Sequence, residues 1–287
     1  MTSVVVPVLN GAEILPRTVP TVLALDGVDE WVWVDDGSTD GTGETLTSLT
    51  SGADAARVVR LGENRGRGAA RNAGVEATRG DRLVFFDADV EPPPEAAARL
   101  RDALDRPGVV ASVAQVRSIL DRPEDPYQRY LADHPRGPAP GTGPVRWRFF
   151  LTCACALRRS AFTEAGGFDA SIAYGEDFEL ACRLSKRSPE GLHVADTTVA
   201  IHEVAHLDTA LANMHTFGHA LRSIGRRHPE AIALAGLPRA AVALARWPVV
   251  PSPQTVSRVV RSLPPALHPR AVRVGLGLSL LHGLGRA

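Results

Sequence analysis

Three acidic clusters hold the residues of this chain best suited to chemistry. Asp87-Ala88-Asp89 sets two carboxylates one residue apart, directly after the apolar run Leu83-Val84-Phe85-Phe86. Left uncompensated, they would repel each other. Hard oxygen donors of this kind suit Mg2+ or Mn2+, ions that keep positions open for substrate phosphate oxygens. The plain alternative is a strand-ending turn with solvated aspartates. Asp35-Asp36-Gly37-Ser38-Thr39-Asp40 follows the apolar run Trp31-Val32-Trp33-Val34. Its paired aspartates can accept hydrogen bonds from a base imide or from ribose hydroxyls, and Ser38 and Thr39 can cap the next helix. An acidic, glycine-punctuated turn would read the same way. Glu176 and Asp177 follow Gly175 at the start of a helical pattern. There the helix dipole favours ionised carboxylates, and one of them can take a proton from an acceptor hydroxyl. Ordinary acidic enrichment of a first helical turn gives the same string.

Two further segments complete the inventory. Asn64-Arg65-Gly66-Arg67-Gly68-Ala69-Ala70-Arg71-Asn72-Ala73-Gly74 puts glycines before an alanine-rich helix. Backbone amides at such a helix start can approach an anion. With Arg65, Arg67 and Arg71 the natural partner is a diphosphate, unless this is only an exposed helix with a basic end. His202-Glu203-Val204-Ala205-His206 matches the H-E-x-x-H string of zinc proteases, which works only when both imidazoles share one helical face. The preceding Thr197-Thr198-Val199-Ala200-Ile201 reads as a strand, which places His202 at a strand end. Thr209 and Ala212 stand where the extended protease pattern needs glycine and a third histidine, leaving Glu230 as a distant substitute. His202 is read either as completing the Asp87/Asp89 site or as structural, and His206, His215 and His219 as structural.

These clusters need elements to position them. Val4-Val5-Val6, residues 31–34, Val58-Val59, residues 83–86 and residues 109–116 read as strands. Helical patterns separate them: Leu15, Val19, Val22 and Leu23; residues 44–49; residues 68–78; and Leu100 with Leu104 after Pro92-Pro93-Pro94. Such alternation indicates a layered α/β fold with a largely parallel sheet, whose ligand crevice lies beyond the carboxyl ends of the strands. Three polar clusters follow strands there. Residues 121–144, rich in proline, glycine and charge, read as a long excursion over the surface or the site. Residues 149–157 read as a strand, and residues 181–184 as part of a helix begun near Gly175. Residues 248–253 look like a linker.

The 287 residues have 44% hydrophobic content and a formal net charge of zero, so no global field steers the chain to nucleic acid. Three cysteines without framework spacing favour a reducing compartment. Cys153 and Cys155 are read as packing residues pointing the same way from one strand. MTSVVVPVLN reads as a first strand rather than a signal peptide, and no run reaches about 18 apolar residues. The expected location is cytoplasmic, either free or peripheral to a membrane.

Taken together and in this order, these motifs resemble the nucleotide-sugar glycosyltransferases of family two, which have the GT-A fold. The likeness runs from about Ser3 to Arg227. It also takes in Val5-Val6-Pro7-Val8-Leu9-Asn10, Ala156-Leu157-Arg158-Arg159-Ser160-Ala161-Phe162 and Gly166-Gly167-Phe168-Asp169. The resemblance implies a GT-A type, Rossmann-like layered α/β fold: a central mostly parallel mixed sheet flanked by helices, with a helical C-terminal extension. It implies residues 1–230 as the transferase domain, with a nucleotide-binding half (1–116) and an acceptor-binding half (117–230), followed by the extension 231–287. It implies a nucleotide-sugar donor, UDP by default, held by Pro7, Val8, Asn10, Asp35, Asp36, Ser38, Asn64, Gly68, Arg71, Asp87 and Ala88. It implies Mn2+ or Mg2+ on Asp89, Asp87 and His202, and Asp177 as general base with Glu176 beside it, giving inversion at the anomeric carbon.

Two departures bear on the product. Processive members carry Gln-x-x-Arg-Trp, whereas Ala243 precedes Arg246-Trp247 here, and their long membrane helices are missing. Transfer of one sugar to a discrete small-molecule or lipid-linked acceptor is expected, with Tyr127, Tyr130, Trp147 and Phe149 either lining the acceptor or filling core. The tail from Ile232 is expected to lie on a membrane surface or to pack against a second subunit. An oxidoreductase lacks its G-x-G-x-x-G after the first strand, and a nucleotidyltransferase its glycine- and arginine-rich loop. The alternative from another class is an inactive nucleotide- or sugar-binding module of the same fold.

Overall fold

The computed structural model describes residues 1–134, 137–138, 141–203, 205–229 and 250–285. Glu230, Val204 and the whole of residues 231–249, with the Arg246-Trp247 pair, therefore lie outside the described residues.

Aliphatic and aromatic runs become strands where expected: β1 (Thr2–Val8), β2 (Glu30–Asp35), β3 (Ala56–Arg60) and β4 (Arg82–Phe86). Between them lie α1 (Leu15–Leu23), α2 (Thr42–Thr50) and α3 (Arg67–Glu76). β3, β2, β1 and β4 are parallel neighbours, with Val5 opposite both Val32 and Phe85. β2, β1 and β4 are therefore flanked on both edges and largely buried on both faces, which explains their apolar sequences, while β3 forms the half-exposed edge. β5 (Val90–Glu91), α4 (Ala96–Ala103) and β6 (Ala111–Ile119) follow. After β4 the sheet turns antiparallel through β8 (Ala154–Arg158), then continues through β6 and β9 (Leu192–His202) to β5. A two-residue β7 (Gly143–Pro144) pairs with β9. The result is the expected mixed sheet flanked by helices.

The chain divides into two compact units. The first comprises Met1–Arg117, Gly137–Ser171 and Glu176–His202. Its core joins Val4, Val6, Trp33, Val84 and Phe86 of the sheet to Leu15 and Val19 of α1 and Leu100 of α4. Burying each such side chain contributes about 1.5–3 kcal/mol. α6 (Arg159–Ala165) and α7 (Glu176–Arg187) also belong to this unit.

The second unit comprises Ser118–Arg136, Ile172–Gly175 and Glu203–Ala287. It contains α5 (Pro126–Asp133), α8 (Leu207–Arg227), α9 (Pro253–Ser262) and α10 (His268–Gly285). Leu207 and Leu211 of α8, Val256 and Val260 of α9 and Val272 of α10 form its core, with Tyr127 and Tyr130 packed against them.

Three expectations are corrected. The 121–144 segment is not wholly irregular, because Asp125 caps α5 by accepting from the Tyr127 and Gln128 amides, with Pro126 at the first helical position. Residues 149–153 are not strand: Trp147–Phe149 form a 3-10 turn, and pairing starts at Ala154. Cys153 accordingly precedes β8, and only Cys155 lies on it. Proline at 251 and 253 does not make a linker throughout, since Ser252 caps α9 through the Thr255 amide.

Candidate active site

Loops leaving the carboxyl ends of β1, β2 and β3 are stitched to one another by side chains. Pro7 and Val8 close β1 opposite Val34 and Asp35. Asn10 adopts φ 50°, a left-handed conformation asparagine tolerates because its short amide can bond locally. Its Oδ1 accepts from the Thr39 amide at 3.0 Å, and its own amide donates to Ser38 Oγ at 2.8 Å. Asp35 accepts from the Ser38 amide at 2.9 Å. The buried Asp36 takes the amides of Arg65 and Gly66 on separate oxygens, at 2.8 and 2.9 Å. One carboxylate thereby shapes the loop that starts α3. Asn64 is exposed in that loop, and Gly68 is buried in the first turn of α3.

Arg71, one turn further along α3, is only 2% exposed. Its Nη2 donates to Asp87 Oδ1 at 2.6 Å and its Nη1 to Glu176 Oε1 at 2.7 Å. The Phe168 ring lies 5.4 Å from its guanidinium carbon. Burial alone would lower the pKa of Arg71, but Asp87 and Glu176 outweigh it and hold the cation charged. Arg67 adds a longer contact to Glu176 Oε1, at 3.8 Å. Asn72 clamps the 166–169 loop to α3 by exchanging two hydrogen bonds with the Phe168 backbone, at 2.9 and 3.0 Å. The exit of β4, the start of α7 and α3 are thus joined through Arg71.

Asp177 begins α7 beside Glu176, with its Oδ1 accepting from the Phe178 amide at 2.7 Å. Burial and the Glu176 carboxylate push its pKa up to about 7, against the opposing pull of that amide, Arg71 and Arg67. A carboxylate so placed exchanges its proton near neutral pH, which is what a general base requires. Cys155 lies within electrostatic reach of Arg71, Asp87 and Asp177, but burial raises its thiol pKa well above the ordinary value, so it stays a packing residue.

Asp89 and His202 meet across the β5–β9 pair, the His202 amide donating to the Asp89 carbonyl at 2.9 Å. Ala88 lies between the two aspartates in the turn. His202 Nε2 lies 2.6 Å from Glu91 Oε1. Among the described residues, no three His, Cys, Asp or Glu side chains form a closed metal cage. The donor set nevertheless fits a Mg2+- or Mn2+-type ion, which binds through one or two carboxylates and completes its shell with substrate phosphates and water. His202 ends β9 and His206 caps α8, so the H-E-x-x-H string is not carried on one helical face.

The structure therefore brings Asp87, Arg71, Glu176 and Asp177 together, and Asp89 with His202. Asp35, Asp36, Ser38 and Asn10 serve each other and the neighbouring loop. Trp147 packs on Phe178 at 4.4 Å between ring centroids, and Phe149 is exposed beneath the Arg148 guanidinium. Sequence reasoning missed Glu91 and the link from Arg71 to Glu176. Glu91 had a visible signal, since Asp87, Asp89 and Glu91 recur at a spacing of two.

The profile of Glycosyl transferase family 2 matches residues 3–166. The chain is 28% identical over 236 residues to the pre-mycofactocin glycosyltransferase of Mycobacterium tuberculosis, covering 80% of this chain and 49% of that protein. It is 42% identical over 105 residues to the undecaprenyl-phosphate 4-deoxy-4-formamido-L-arabinose transferase of Pseudomonas aeruginosa, covering 35% of this chain and 31% of that one. The chain thus spans about half the length, or less, of these curated relatives. A mannosyltransferase from Pyrobaculum calidifontis, solved with GDP-Man and Mn2+, superposes with a TM-score of 0.63 at 19% identity, covering 99% of this chain and 86% of that one. S. aureus TarS, solved with UDP, gives 0.60 at 15% identity, covering 99% and 90%. These two establish the shared fold. With the family profile matching more than half of its residues, the chain belongs to glycosyl transferase family 2.

Proposed function

We propose that this protein transfers one sugar from a nucleotide sugar to a hydroxyl of a discrete acceptor, with inversion at the anomeric carbon. Asp177 takes the acceptor proton, and the freed oxygen bonds to the anomeric carbon from the face opposite the diphosphate. The bond from that carbon to the diphosphate oxygen breaks, and the nucleoside diphosphate leaves with the electron pair. A divalent ion held by Asp89, with Asp87 and His202, would supply compensation for the charge on the leaving diphosphate. Glu91 would orient the His202 ring, as carboxylates commonly do for metal-binding imidazoles. Residues 1–116 would take the donor through Pro7, Val8, Asn10, Asp35, Asp36, Ser38, Asn64, Gly68 and Arg71, and residues 117–230 the acceptor. UDP is the proposed nucleotide, the one bound in the S. aureus TarS structure. Transfer of a single sugar is supported by Ala243, which replaces the glutamine of the processive element.

The observation that carries this reading is the Arg71 bridge from Asp87 to Glu176, which seats the start of the base helix beside the exit of β4. The test is a mass-spectrometric screen of nucleotide sugars with Mn2+. Turnover that disappears in Asp89→Ala and in Asp177→Asn supports the reading. Turnover indifferent to both changes would refute it, and products carrying several sugars from one encounter would refute single transfer.

A further inference from the structure

We infer that the α9–α10 helix pair is a docking surface for a membrane carrying anionic lipid. The groove between the two helices encloses about 410 Å³ and is walled by Val259, Leu263, Leu267, Val274 and Leu278, with Arg270 at its edge. Val259, Leu267 and Val274 are 54%, 44% and 62% exposed, so the surface shows water a cluster of large aliphatic groups. Contiguous apolar surface of this kind marks an interaction site rather than chance exposure.

Charge selects the occupant. Residues 231–287 contain seven arginines and no lysine, aspartate or glutamate, whereas residues 1–230 contain 25 basic and 32 acidic residues. Arg270 lines the groove, Arg258 and Arg273 are exposed elsewhere on the same two helices, and Arg261 is taken by Asp208 at 2.9 Å. A second copy meeting this face through a two-fold axis would set arginine against arginine. Residues 231–249 carry two arginines and no acid, so they too would add like charge. An anionic lipid surface offers what neither does, an apolar phase for the aliphatic residues and phosphates for the arginines. No helix among the described residues is long and apolar enough to cross a membrane, and the groove has the chemistry of a face that lies on one.

The inference stands apart from the sugar chemistry and is tested on the full chain by vesicle flotation. Vesicles of phosphatidylcholine alone are compared with vesicles that also contain phosphatidylglycerol. The protein is expected to float with the second kind and not the first, and to be released as salt is raised. Val259→Asp with Val274→Asp should abolish flotation. Arg258→Gln, Arg270→Gln and Arg273→Gln together should weaken partition on the order of 100-fold. All five positions are exposed, so thermal unfolding should match the parent, and nucleotide-sugar hydrolysis in solution should be unchanged. Flotation that ignores phosphatidylglycerol, or variants that float like the parent, would overturn the inference. So would a dimer dispersed by the two aspartates without any vesicle binding, or vesicle binding that appears only once residues 231–249 are deleted.

Discussion

Asp177 ties the pH response of catalysis to that of stability. In its proposed role as base it must be ionised, so kcat/KM should rise with pH through about 7, the value to which burial and Glu176 push its pKa. Asp177→Asn should lower kcat/KM by about 10²–10⁴-fold. Its effect on folding has the opposite sign. The unfolded carboxyl titrates near its ordinary 3.8 and the folded one near 7, so the folded state binds the extra proton between them. That contribution is complete below the unfolded value and is lost as pH climbs through the folded value. Thermal scans should therefore show Asp177→Asn level with the parent in acid and more stable than it above about pH 7. Arg71 is the counterweight. Arg71→Met strands Asp87 and Glu176 without their buried cation, a loss of about 3–5 kcal/mol in urea unfolding. It also removes a charge that lowers the Asp177 pKa, so the rising limb of the pH–rate profile should move to higher pH. Arg71→Lys should rescue little, because one ammonium cannot reproduce a planar fork held at two carboxylates.

The elements around the site owe their shape to pairs of loops. Asp36 accepts two amides of the loop before α3, one on each oxygen. Asp36→Asn keeps one acceptor and turns an NH2 toward the other amide, leaving a donor unsatisfied at about 1–3 kcal/mol. Donor KM should rise in steady-state assays, with kcat at saturation less affected. Gly37 sits beside it at φ 75°, where an added Cβ would press into the Glu63–Asn64 backbone. Gly37→Ala should carry both the backbone strain and that clash, and so weaken donor binding more than Asp36→Asn does. At this scale the sequence was most readable. Unbroken short apolar runs such as residues 83–86 read as buried strands, α1 and α4 follow from the spacing of their aliphatic residues, and α3 from its alanine-rich composition. Cap chemistry was read less well: Asp125-Pro126 announces α5, yet the surrounding proline and glycine masked it. The carboxyl clusters were legible as a site because each follows a strand. Which of their oxygens were already committed was not legible, since the Asp36 and Arg71 partners come from 16 to 105 residues away.

For the whole molecule, the decisive question is whether the C-terminal helices are an appendage or part of a core. Composition pointed to an extension, because alanine, leucine, valine and arginine broken by proline fix no packing partner. The structure gives α8 such partners. Leu207 and Leu211 bury against Val256 and Val260 of α9 and Val272 of α10. Gly218 of α8 and Gly283 of α10 let the two backbones meet, since a Cβ at Gly218 would collide with the Leu280 carbonyl and one at Gly283 with that of His215. Removal of everything after His228 would therefore uncover an apolar stripe on α8 rather than trim a free tail. Such a truncation is expected to bind a hydrophobic dye, to aggregate and to lose its α8 helicity, as measured by fluorescence, light scattering and circular dichroism. Gly283→Val should reproduce part of this in the full-length chain, since overpacking a close crossing costs about 1–3 kcal/mol. Val274→Asp, on the exposed side of the same helix, should leave folding untouched and affect only vesicle binding. If the truncated protein instead stays monomeric and fully helical, the α8–α10 crossing does not hold that unit together.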